Sequence, residues 1–118
     1  MKSIELKTLQ KLEELQMKGE PDLVVRLIDI FSETAPKTIQ TLGTATSEAD
    51  AQTIERASHN LKSSAAHVGA RKLSEICAEM ERVARIQSSD GQQKRMNDLL
   101  SEFECVKVEL AAIKSSRI

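Results

Sequence analysis

Apolar residues recur at steps of three and four through five successive stretches of this chain, and no stretch alternates apolar and polar residues over a strand's length. That spacing is the period of an α-helix with one buried face, so the chain must fold as helices covering one another. The links between the stretches are short, which sets consecutive helices antiparallel. The expected fold is all-α: an antiparallel four-helix bundle, up-down-up-down, with a short extra N-terminal helix packed across one end.

The punctuation gives the expected boundaries. Leu6, Leu9, Leu12 and Leu15 mark a first helix from Ile4 to Met17, ended by Gly19, with Pro21 in the first turn of the next. The second runs from Asp22 to about Ala45 through Val24, Leu27, Ile28, Phe31, Ala35, Thr38 and Leu42. Pro36 lies inside it and should either kink it near Ser32 and Glu33 or break and restart it, and the unchanged apolar phase on both sides favours the kink. Ser47-Glu48-Ala49-Asp50 resembles a capping box and places the third helix start at Ser47. This helix carries Ile54, Ala57, Leu61, Ala65 and Val68 and stops at Gly69, where glycine can take a positive φ. The fourth spans Ala70 to Gln87 with Leu73, Ile76, Cys77, Met80, Val83 and Ala84. After a Ser88-Ser89-Asp90-Gly91 loop, the fifth runs from Gln92 to Lys114 with Met96, Leu99, Phe103, Val106, Leu110 and Ile113, leaving a frayed tail from Lys114 to Ile118.

With 118 residues the chain fits one domain, 1–118, with its core in about 4–114. The near balance of 17 basic and 18 acidic residues gives no electrostatic footprint for nucleic acid. The absence of Trp and Tyr removes a stacking platform for single strands. Cys77 and Cys105 belong to no CxxC or Cys/His cluster, so no metal site is expected, and both are read as buried reduced thiols. No stretch approaches the ~20 apolar residues of a membrane span, and no signal peptide is evident at the N-terminus. The expectation is a soluble cytoplasmic protein.

Within this frame the third helix carries an unusual constellation. At 100° per residue, with Ile54 at zero, Leu61, Ala65 and Val68 fall within about 40° of the buried direction and His59 at about 140°. His59 therefore faces outward, with Gln52, Glu55, Lys62, Ser63 and Ala66 on the same face and Arg56 at its flank. Lys62 lies at i+3, within side-chain reach. A histidine with its unperturbed pKa of about 6.5 is mostly neutral at pH 7 and presents a nucleophilic nitrogen. The ammonium would attract a dianion attached to the ring. Glu55, one turn before His59, is a candidate acceptor for Nδ1, which would leave Nε2 free. His67 is a rival acceptor without a lysine one turn ahead, and it lies about 12 Å along the helix, too far to share a metal with His59.

His59-x-Leu61-Lys62-x-Ser64, followed by Gly69-Ala70, Leu73, Cys77 and Met80-Glu81, resembles the signature of the histidine-containing phosphotransfer (HPt) domains of multistep two-component phosphorelays. The Pro21-Asp22-Leu23 and Phe31-to-Pro36 features extend the resemblance along most of the chain. The resemblance implies that His59 takes a phosphoryl group on Nε2 from a receiver domain's phosphoaspartate and passes it to another response-regulator receiver. It implies that Lys62 helps hold the phosphoryl charge, that Mg²⁺ belongs to the receiver alone, and that the chain is a phosphocarrier without kinase activity. Where the family usually has glycine after the lysine, this chain has Ser63, whose hydroxyl could bond the phosphoryl group or the ring. Gln52, Glu55, Arg56, Ala66, His67 and Arg71 are the candidate docking residues for the receiver, and a monomer is expected. Two other readings stay open on the residues alone: a helical adaptor that docks receivers without being phosphorylated, and a coiled-coil oligomerisation module. An enzyme with its own substrate pocket is disfavoured by the lack of a Gly-rich phosphate loop or a clustered catalytic dyad.

Overall fold

The computed structural model describes residues 2–117, and these form five helices and no strand. The helices are α1 (Leu6–Glu14), α2 (Leu23–Ser47), α3 (Ala51–His67), α4 (Arg71–Arg85) and α5 (Gln92–Arg117). α2 packs on α3 and α5, and α4 packs on the same two, which is the square of a four-helix bundle; α1 lies against α2. The buried stripes expected from the spacing meet in one core, with Ile28, Leu42, Ile54, Leu61, Leu73, Met80, Leu99 and Leu110 all but inaccessible. The molecule is elongated, 48 × 24 × 21 Å, because α2 and α5 run almost its full length.

Several boundaries differ from expectation, each for a local reason. α1 is shorter than Ile4 to Met17. The amides of Ser3 and Ile4 donate to the Glu109 carboxylate of α5, at 2.7–3.0 Å, and the Glu5 amide donates to the Gly69 carbonyl at 2.8 Å. These residues are thereby drawn into a non-helical strap that bends at Ser3 and Ile4. At the other end Gln16 organises the turn: its amide donates to the Glu20 and Pro21 carbonyls and its oxygen accepts from the Leu23 amide. Pro21 is not in the first turn of α2. Asp22 is the N-cap, its Oδ1 accepting from the amides of Val24 and Val25.

α2 passes through Pro36 unbroken and continues to Ser47, so Ser47 does not begin α3. Asp50 is the N-cap of α3, accepting from the Thr53 amide and hydroxyl. Nor is the tail frayed: α5 extends through Lys114, which reaches Asp29, to Arg117, which grips Asp22 with two bonds of 2.7 and 3.0 Å; Ile118 is outside the described residues. Cys77 is buried, and burial, aided by the Glu81 charge and opposed by Lys62, pushes its thiol up to about 12. Cys105 is exposed, contrary to expectation, because the buried face of α5 is spent on Phe103, Val106 and Leu110.

α2, α3 and α4 end in the same way. Ala49, Gly69 and Gln87 take φ of +54°, +81° and +61°, and the amide after each reaches back to the carbonyl five residues before it. This is the Schellman arrangement, which satisfies the last carbonyls of a helix and turns the chain sharply. At Gly69 a Cβ would lie 2.7 Å from the Glu5 carbonyl oxygen, so glycine is required by both conformation and space. The α3–α4 turn is thus tied to the N-terminal strap, and Ser74 Oγ on α4 adds a bond to the Lys62 carbonyl.

Candidate functional site

The α3–α4 pairing determines what surrounds His59. Its side chain is 58% exposed, on the outward face as the angular count requires. Beneath it lies a residue of α4 that no helical wheel of α3 contains. Glu81 Oε2 is 2.9 Å from His59 Nδ1, and Glu81 Oε1 is 2.6 Å from Lys62 Nζ. Arg85 Nη2 donates to Oε2 of the same carboxylate at 2.8 Å, and Arg85 Nε reaches Glu55 Oε2 at 3.3 Å. Glu81 is itself only 6% exposed and stands on the apolar stripe of α4, next to Met80 and four residues after Cys77.

Burial works to raise the Glu81 carboxyl, but hydrogen bonds from Lys62 and His59, with their positive charges, outweigh it and hold the group below the usual carboxylate range. An ionised carboxylate can only accept a hydrogen bond. The proton of a neutral His59 therefore sits on Nδ1, and Nε2 carries an unprotonated lone pair at the exposed edge of the ring. The Nδ1 acceptor is Glu81, not Glu55: Glu55 is engaged by Arg85.

The other sequence candidates divide into two groups. Gln52, Glu55 and Arg56 join His59, Asn60, Glu81 and Arg85 around one shallow depression beside the imidazole. Ala66 and Arg71 lie at the hairpin end, around a second depression with Glu5, Thr8 and Gly69, where Arg71 pairs with Glu5 and Glu75. Ser63 and His67 are both exposed. Among the described residues no group of His, Cys, Asp and Glu side chains could hold a metal ion, and no helix is long and apolar enough to cross a membrane.

Comparison with known proteins bears on what this arrangement is. The family model of the Hpt domain matches residues 26–116, most of the chain. The chain belongs to the Hpt domain family. Helix α1 lies outside the matched residues. Histidine-containing phosphotransfer proteins 5 and 2 of Arabidopsis thaliana are each similar to this chain, 25% identical over 103 residues; the match covers 85% of this chain and 66% of theirs, just under two thirds of their length. The fold is similar to that of histidine-containing phosphotransfer protein B from Pseudomonas aeruginosa PAO1, with a TM-score of 0.87, 23% identity, and coverage of 97% of this chain and 96% of the other.

Two residues of the site lie on α4, beyond any helical wheel drawn for α3: Glu81, which belongs to the Met80-Glu81 pair of the family resemblance, and Arg85, which carries no motif. The available signal was a carboxylate on an otherwise apolar stripe, since a buried charge demands a partner. Nothing in the sequence alone identified that partner across a gap of 22 residues.

Proposed function

We propose that this Hpt-family chain is a histidine phosphotransfer protein that accepts a phosphoryl group on His59 Nε2 from a receiver domain's phosphoaspartate and relays it to another response-regulator receiver. The observation that carries the reading is the Glu81 hydrogen bond to Nδ1 of an exposed imidazole, because it leaves Nε2 unprotonated and accessible. The Nε2 lone pair attacks phosphorus, the phosphorus–oxygen bond of the acyl phosphate breaks, and the aspartate leaves as a carboxylate. No proton has to move. The ring keeps its Nδ1 proton and takes on the positive charge of an N-phosphorylated imidazolium, which Glu81 stabilises across the 2.9 Å contact. Reversal of these bond changes on a second aspartate completes the relay.

Lys62 has three ammonium protons and uses one on Glu81, so others can hold the phosphoryl oxygens. Ser63, exposed four residues after His59, is proposed as a second donor to that group. The receiver docks over Gln52, Glu55 and Arg56 on one side of the ring and Ala66, His67 and Arg71 on the other, and it brings the Mg²⁺. One copy supplies His59, Lys62 and Glu81, so we read the chain as a monomeric, cytoplasmic phosphocarrier with no kinase activity of its own. Incubation with a phosphorylated receiver tests this: label stable to base and labile to acid is expected on the chain. Receiver binding without label transfer would make the protein an adaptor instead.

A further inference from the structure

Arg85 is 64% exposed and lies on the last turn of α4, yet its guanidinium spans two helices to hold Glu81 and Glu55 at once. A surface arginine usually contributes little to stability, so the consequence of this bridge is sought in what it does to the imidazole. The charged side chains around the depression are Glu55 and Arg56 from α3 and Glu81 and Arg85 from α4, with Lys62 on the far oxygen of Glu81; α2, which also packs on α3, contributes none to the lining. Two carboxylates thus stand near the ring, and two cations are bonded to them. A carboxylate at 2.9 Å from Nδ1 fixes the useful tautomer, but the same negative charge favours adding a second proton at Nε2, which destroys the nucleophile. Glu81 alone would serve orientation at the expense of reactivity.

We propose that Arg85 is a positioning residue for His59: bridging Glu81 and Glu55, it offsets their charge so that the imidazole stays neutral while Glu81 still holds Nδ1. Lys62 cannot do this throughout the reaction, because its charge is shared with the arriving phosphoryl group, whereas Arg85 approaches Oε2 from the opposite end of the carboxylate. The bridge also occupies Glu55, which stands one turn before His59 and would otherwise compete for Nδ1. This inference rests on the phosphotransfer reading for its purpose, but its physical content concerns the unphosphorylated protein.

The experiment follows the His59 ring nitrogens by long-range proton–nitrogen NMR across pH 5–9 in wild type, Arg85→Met, Arg85→Lys, Glu55→Gln and the Arg85→Met/Glu55→Gln pair, with transfer rates from a phosphorylated receiver at pH 7. In Arg85→Met the midpoint of Nε2 protonation should rise by roughly half a pH unit, a modest shift because the bridge is solvent-exposed. The transfer rate at pH 7 should fall about 1.5-fold, more at lower pH, and recover at higher pH. Arg85→Lys should restore much of the wild-type midpoint, Glu55→Gln alone should lower it, and the pair should return close to wild type. An unchanged midpoint in a folded Arg85→Met protein, or one in Glu55→Gln that does not fall, would overturn the inference. Were Arg85→Met not to fold, Arg85→Gln, which removes the charge but keeps a polar side chain at this exposed position, takes its place with the same expected rise and the same overturning result. A wild type that accepts no phosphoryl group refutes the phosphotransfer reading instead, and the NMR midpoints then judge Arg85 independently.

Discussion

His59, Lys62 and Arg85 meet on one carboxylate, so Glu81 is where single substitutions should have the widest effect. Its pH dependence has a definite sign. The folded-state value lies below the ordinary one, so the stabilisation is fully present above the unfolded value of about 4.3 and is lost as pH falls through the lowered folded value. Denaturant titrations should show Glu81→Gln less stable than wild type at pH 7, with the gap closing below about pH 4. A gap that stays constant down to pH 3 would mean that Glu81 acts by packing alone. For Ser63, replacing the hydroxyl in Ser63→Ala should slow phosphotransfer roughly tenfold or more, the worth of one hydrogen bond to a charged group. An unchanged rate removes Ser63 from the mechanism.

The helices were legible in the sequence where their signals are local, and misread where the chain uses a residue against its preference. Gly69 announces the end of α3 because glycine is the ordinary occupant of a left-handed position. Ala49 and Gln87 occupy equivalent positions without being glycine, and that concealment is why Ser47 looked like a cap when it belongs to the last turn of α2. An L-residue there costs about 1–2 kcal/mol, partly recovered from glycine's greater unfolded-state entropy. Ala49→Gly should therefore raise stability by about 0.5–1 kcal/mol in urea denaturation. Gly69→Ala should lower it by at least about 1–2 kcal/mol, since the strain is joined by a clash with the Glu5 carbonyl. If both variants match wild type, the turn assignments are wrong. The strap at Ser3 to Glu5 and the anchored end of α5 were invisible to periodicity because long-range bonds, to Glu109, Gly69 and Asp22, hold them.

At the scale of the whole molecule, two long helices form a rigid frame and the α3–α4 hairpin presents the site on its outer face. The bundle and its core followed from spacing, and so did the outward direction of His59. The proposed chemistry depends on the pairing of α3 with α4, which sets Glu81 against Nδ1 of an exposed histidine. His67, also exposed on the same helix, has no lysine one turn ahead of it and tests the specificity of that claim. The decisive measurement is where the label goes when phosphorylated receiver is mixed with wild type, His59→Gln and His67→Gln. Acid-labile label should appear on wild type and His67→Gln and be absent from His59→Gln; label that survives in His59→Gln, or vanishes with His67 alone, would contradict the assignment of His59 as the phosphoryl acceptor.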